Sequence, residues 1–276
     1  MKLTTDNLPA EVARIAKIIP PFPRVVMQLI EMLDDEDSPL DALARLARND
    51  PVISSAILAA ANRIRRIHAQ PELYDPFIAS SLIGTTMVRR IVITAGMNKF
   101  MTEDKGAEFL LRHSRAVAIV AQELAMLSGV SPEKAYIAAI LHDVGQLCFH
   151  VMDASLFQDI YRQAATDGRL IERETETFGV DHAQIGAALA RHWELPEDFV
   201  SAIQTHHDDM TVTSKLQAVI NLSESLTRAL DIPPSTKNRL TKLNAPAVEA
   251  LGIKWGSLEM QDCFGRCRAR YRQAMA

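Results

Sequence analysis

The chain has 276 residues, 48% hydrophobic, 23% charged and 5% aromatic, which is enough apolar material for a sizeable core and excludes wholesale disorder. Basic side chains number 30 against 34 acidic ones, and the net charge of −4 excludes a strong overall attraction to nucleic acid or an acidic membrane. At ~150 residues per domain the length points to two structural units, and the sparse cysteines Cys148, Cys263 and Cys267 form no disulfide framework or paired zinc motif.

Along the chain, the first ten residues contain Lys2, Asp6 and Pro9 and lack an apolar signal core. The apolar runs 56–61 and 135–141 fall short of the ~20 residues that span a membrane, so a cytoplasmic protein without a membrane partner is expected. Leu40, Leu43, Ala44 and Ala47 repeat at amphipathic-helix spacing. Asp50 with Pro51 is a helix-start signal for a helix from Val52 to about Ile64. The polar run 102–106 interrupts the helical pattern. Ser131-Pro132 opens a further helix, Asp181 with Gln184 predicts a capping box, and Pro196, Glu197 and Asp198 open another. No alternating strand and no Asn-Gly or Asp-Gly hairpin is present, so the chain reads as all-α with about a dozen helices. The expected divisions are an N-terminal helical subdomain over 1–100, a helical bundle over 107–230, and a helical tail over 231–276 after Pro233-Pro234.

The histidines carry the chemical signal. His113 shares a helix face with Phe109, Ala116, Val117 and Val120, where an isolated histidine is ordinarily a hydrogen-bonded core residue. His142-Asp143 follows the all-apolar run 135–141, so Asp143 needs cationic compensation, from a distant Arg or Lys or from a metal ion. Gly145 reads as the stop of that helix. His182 shares its face with Ile185, Gly186 and Leu189, and Gly186 would permit close helix approach. His206 and His207 end the stripe begun by Phe199 and Ile203, consistent with inward ligands or equally with a solvated helix terminus. No short local metal motif links these residues, so a site must be assembled from several helices. Imidazole and carboxylate without thiolate suit iron, manganese or zinc.

The order His113, then His142-Asp143 within Leu-His-Asp-Val-Gly, resembles the HD superfamily of helical metal-dependent phosphohydrolases. His182 and His206-His207 are similar to the extra histidines of dinuclear members, including the HD-GYP phosphodiesterases. Ile19-Pro20-Pro21-Phe22-Pro23, Leu33-Asp34-Asp35, Asn49-Asp50-Pro51 and Ala59-Ala60-Ala61-Asn62 resemble the HDOD domain, an HD-related output domain, over roughly residues 18–230. The resemblance implies an HD-like bundle with a helical subdomain packed on it. It implies a metal set of His113, His142, Asp143, His182, His206, His207 and Glu224 for one or two divalent ions: iron, manganese, zinc or magnesium. Asp143 would bridge the two ions and carry any catalysis, and Glu224 would replace the usual final Asp within the polar stripe Gln217, Asn221, Glu224 and Arg228.

HDOD domains are described as signalling output modules without an established reaction, which makes a regulatory module with a protein partner the leading expectation. Hydrolysis of a phosphate ester, such as a nucleotide or cyclic dinucleotide, is the alternative. Against it stand Gln146, where the HD-GYP pattern has a lysine, and Asp208-Asp209-Met210, which lacks Gly-Tyr-Pro. A small phosphorylated ligand fits either reading. The clusters Arg63, Arg65, Arg66, Arg89 and Arg90, and the C-terminal Arg266, Arg268, Arg270 and Arg272, read as solvated helix charges, and the absence of interleaved aromatics argues against nucleic acid.

Overall fold

Several helices begin where the sequence supplies a capping side chain. Asp50 accepts hydrogen bonds from the N–H groups of Val52 (2.8 Å) and Ile53 (3.2 Å), and Ser131 accepts one from Lys134 (3.2 Å). Asp181 and Gln184 form the expected reciprocal capping box. The structure, a computed structural model, describes residues 2–33, 40–102, 108–208, 211–233 and 243–275, and among these there are helices and no strand. Asp34-Asp35, the run 103–106, Asp209-Met210 and Pro234 lie outside the described residues.

In chain order the helices are α1 (Leu8–Ile15), α2 (Arg24–Leu33), α3 (Leu40–Arg48), α4 (Pro51–Ile67) and α5 (Pro76–Thr102). They continue as α6 (Glu108–Ser128), α7 (Pro132–Leu141), α8 (Val144–Met152), α9 (Ala154–Asp167) and α10 (Leu170–Phe178). The last are α11 (His182–His192), α12 (Glu197–Gln204), α13 (Lys215–Ala229), α14 (Ala245–Ala250) and α15 (Leu258–Met275). They form two compact units, Phe22–Glu103 and a larger one made of Met1–Pro21 with Asp104–Ala276.

In the smaller unit α5 packs on α2, α3 and α4 around Leu29, Ile30, Leu43, Ile53, Ile57 and Met97. Asn62 ties the α4–α5 connection: its side-chain N–H donates to Leu73 O (2.9 Å) and its Oδ1 accepts from Leu73 N (2.7 Å). Within α5, Gly84 adopts φ 79°, ψ 165° and breaks the helix.

The larger unit differs from the expected division at both ends. Residues 1–21 belong here rather than with 22–100, because Leu3 N–H donates to Phe178 O (2.6 Å) and α1 packs on α11 and α8. In the expected tail, the described helices α14 and α15 pack into the same unit, α14 on α13 and α15 on α6. The tail's arginines are not all solvated: Arg266 Nε and Arg270 Nη1 reach the buried carboxylate of Glu123 at 2.6 and 2.7 Å. Helix α7 is buried from Ala135 to Leu141, as its unbroken apolar run predicts.

Two stretches, Pro76–Asn98 and Pro132–Met152, reach membrane-span length and hydropathy, contrary to the short apolar runs read from sequence. Neither is a continuous helix: the first breaks at Gly84, and the second divides into α7 and α8 at His142-Asp143 and is 83% buried within the protein.

Candidate metal centre

The site grows out of the α7–α8 junction. Asp143 lies at the negative end of α7 and also at the N-terminal boundary of α8, without capping it, so its carboxylate is left to face the neighbouring helices. Gly145 does not terminate a helix as its sequence context suggested; it lies in the first turn of α8, against α11. A Cβ there would fall 1.9 Å from His182 O, so only glycine permits this crossing, and Gly186 meets Gly145 from the other side. The close approach brings His182, first residue of α11, against Asp143.

Asp143 turns its two oxygens to two groups of imidazoles. Oδ1 lies 3.2 Å from His182 Nε2 and 3.5 Å from His206 Nε2, and His207 Nε2 is 2.8 Å from His182 Nε2. Oδ2 lies 3.4 Å from His142 Nε2 and 3.8 Å from His113 Nε2. Glu224 Oε2 joins this second group at 2.8 Å from His113 and 3.6 Å from His142. All seven residues singled out in the sequence therefore converge, from α6, the α7–α8 junction, α11, the turn after α12, and α13. Gln217, Asn221 and Glu224, a stripe that could have faced water, are buried, whereas Arg228 is exposed. Asn221 donates to His206 O (2.9 Å) and Asp208 O (3.2 Å) and so pins the His206-His207 turn.

The orientation of the rings decides what they can bind. His142 Nδ1 donates to Ala139 O and His206 Nδ1 to Ile203 O, both at 2.7 Å, and His182 Nδ1 donates to Glu174 Oε2 at 2.6 Å. A carbonyl can only accept, so neutral His142 and His206 keep their Nε2 lone pairs for the centre, and His182 offers its Nε2 there once it gives up its second proton. His142 Nε2 is buried without a hydrogen-bond partner, which suits a ligand atom and is costly otherwise. Oxygen and imidazole donors this close, with tautomers preset, fit one or two divalent cations.

Charge follows the same division. Burial alone would raise Asp143, but the His142 charge and the close-set imidazoles of His182 and His206 hold it well below the usual carboxylate range. Burial is likewise overcome at Glu224, held low by His113 and Arg228. His182 is pushed up to about 10, its burial outweighed by the carboxylates of Glu174 and Asp143. Burial lowers His206, and it lowers His207 further with help from the neighbouring His206 and His182 charges, so both stay neutral.

One participant escaped the sequence reading, and another, Arg228, entered it only as part of a polar stripe. Glu174, fully buried on α10, orients His182 through both its ring and its backbone N–H, the latter at 2.9 Å. Its signal was its place four residues before the buried Phe178, on one helix face. Arg228 binds Glu224 Oε1 from one turn further along α13.

The HDOD domain profile matches residues 19–209. The chain belongs to the HDOD family. A Geobacter sulfurreducens HDOD domain protein of unknown function shares the fold with a TM-score of 0.71 at 21% identity, over 99% of this chain and 96% of that one. A candidate phosphohydrolase from Shewanella amazonensis matches at TM-score 0.66 and 25% identity, with 96% of each chain covered. In sequence, an uncharacterized Treponema pallidum protein is 24% identical over 74% of this HDOD chain. Ribonuclease Y of the Aster yellows witches'-broom phytoplasma is 26% identical over 52%. The chain spans 40% of the former protein's length and 23% of the latter's.

Proposed function

We propose that this HDOD protein is a cytoplasmic signalling module whose Asp143-centred site binds one or two divalent ions and hydrolyses a phosphate ester. The observation that carries the reading is the pinned set of imidazoles, with Nδ1 of three rings committed to Ala139, Ile203 and Glu174 while the Nε2 atoms meet around Asp143. His182, His206 and His207 would hold one ion, His113, His142 and Glu224 the other, and Asp143 has an oxygen for each. The imidazole majority favours iron or zinc over magnesium. Ions bound there supply Lewis acidity at a phosphoryl oxygen and lower the pKa of a coordinated water. The protein's own part is to fix the ring tautomers, keep both carboxylates ionised and exclude bulk water. The name of ribonuclease Y, an RNA-cleaving enzyme, and the Shewanella candidate phosphohydrolase support a phosphoester class of substrate.

The test is metal analysis of reconstituted full-length protein, combined with turnover of nucleotide monophosphates and cyclic dinucleotides, in the wild type and His142→Ala. Stoichiometric metal and turnover that both collapse in the variant are expected. Metal absent after reconstitution, or turnover unchanged in the variant, defeats the reading. Buried, uncharged Gln146 favours a second reading, a metal-stapled scaffold for a protein partner, since α8 then brings no cation to a transition state. Metal-loaded protein that captures a partner and turns over no phosphoester would select it.

A further inference from the structure

The candidate ligand set around Asp143 consists of carboxylates and imidazoles, and a permanent cation, Arg228, reaches it. Its guanidinium binds Glu224 Oε1, while the other oxygen of the same carboxylate faces His113 and His142. Half of the Arg228 side chain remains exposed, whereas Glu224 is nearly buried, so the pair stands at the border between solvent and the centre. An exposed i,i+4 pair by itself contributes little to stability. A guanidinium beside a site that also collects divalent cations is repelled by them, and an anion arriving from solvent offsets that repulsion. Tyr161 of α9, half-exposed, is within electrostatic reach of Arg228, Glu224 and Asp143 and lies near the same border.

We propose that Arg228 grips the phosphate of the substrate. Glu224 holds the guanidinium at one edge, and the remaining N–H donors of this half-exposed side chain take one or two non-bridging oxygens of a phosphate ester. The planar fork of donors matches that group better than an ammonium would. Buried Gln146 brings no charge to α8, and Arg228 supplies from α13 the positive charge that a phosphoryl group needs near the centre. The inference rests on the phosphohydrolase reading and makes it specific: the ligand is recognised first by its phosphate.

The experiment uses the full chain as wild type, Arg228→Ala and Arg228→Lys, each reconstituted with manganese. It measures metal per chain, binding of inorganic phosphate by calorimetry, and KM and kcat for p-nitrophenyl phosphate. Equal metal content is expected in all three, with phosphate binding weakened about tenfold or more in Arg228→Ala and partly recovered in Arg228→Lys. Phosphate binding within twofold of wild type in Arg228→Ala overturns the proposal. So does loss of metal in that variant, which would reduce Arg228 to a support for Glu224, and so does a wild type that binds no phosphate. Wild type that takes up no metal is a separate result: it defeats the phosphohydrolase reading, and Arg228 is then judged on phosphate binding alone.

Discussion

Two buried carboxylates in the larger unit, Glu123 on α6 and Asp143 at the α7–α8 junction, are 2% and 6% exposed, and they are treated in opposite ways. Glu123 is met by the guanidinium groups of Arg266 and Arg270, which carry a fixed charge at every accessible pH. Asp143 is met by imidazoles, each able to offer either a proton or a lone pair. The first arrangement fastens α15 to α6; the second leaves ligand atoms waiting. The kind of partner, rather than burial itself, separates a carboxylate that holds the fold from one set among candidate metal ligands.

Exchanging the two losses should break the comparison if it is mistaken. Asp143→Ala is expected to lose bound metal and to lower phosphoester turnover by about 10³ or more. Glu123→Ala is expected to keep the metal and to lose about 2 kcal/mol of stability, less than a fully buried pair because Arg266 and Arg270 are partly exposed. Elemental analysis and denaturant unfolding read both quantities. Retention of metal by the first variant, or its loss from the second, would erase the distinction.

A subtler change sharpens it. Glu174→Gln keeps an acceptor for His182 Nδ1–H and removes the charge behind the ring. Metal affinity by chelator competition should fall about 10–100-fold with helix content unchanged. An unchanged affinity would make Glu174 a packing residue.

What could be read in advance was what depends on near neighbours. The caps at Asp50, Ser131 and Asp181 act within three residues, and α7 is apolar on every face, so each was legible. The cluster around Asp143 was legible only through the family resemblance, because its members come from separate helices and share no local spacing. Gly145 was misread because glycine after an apolar helix ordinarily ends it, whereas here the crossing of α8 with α11 demands it. Arg266 and Arg270 find Glu123 more than a hundred residues away, and no helical period carries that information. Glu174 lies between Glu172 and Glu176, and only the packing of α10 distinguishes it from them.

A further contrast is a dependence on pH that only the Asp143 side should show. In the metal-free protein His182 holds its proton up to about 10, against 6.5 for an unperturbed ring, because the Glu174 and Asp143 carboxylates outweigh its burial. A raised folded-state pKa contributes stability that is complete below about 6.5 and is lost as pH rises toward 10. Metal binding runs the other way. An ion at His182 Nε2 must displace that proton, so affinity should rise about tenfold per pH unit between 6.5 and 10 and level off above. His206 and His207, already neutral, add no proton to this window. The Glu123 clamp adds none through its arginines, whose guanidinium groups stay charged throughout. Metal titrations at pH 6.5, 7.5 and 8.5, beside thermal unfolding of the chelated protein, should therefore give opposed trends. An affinity that does not change with pH would show that His182 gives up no proton to the ion, and would remove it from the ligand set.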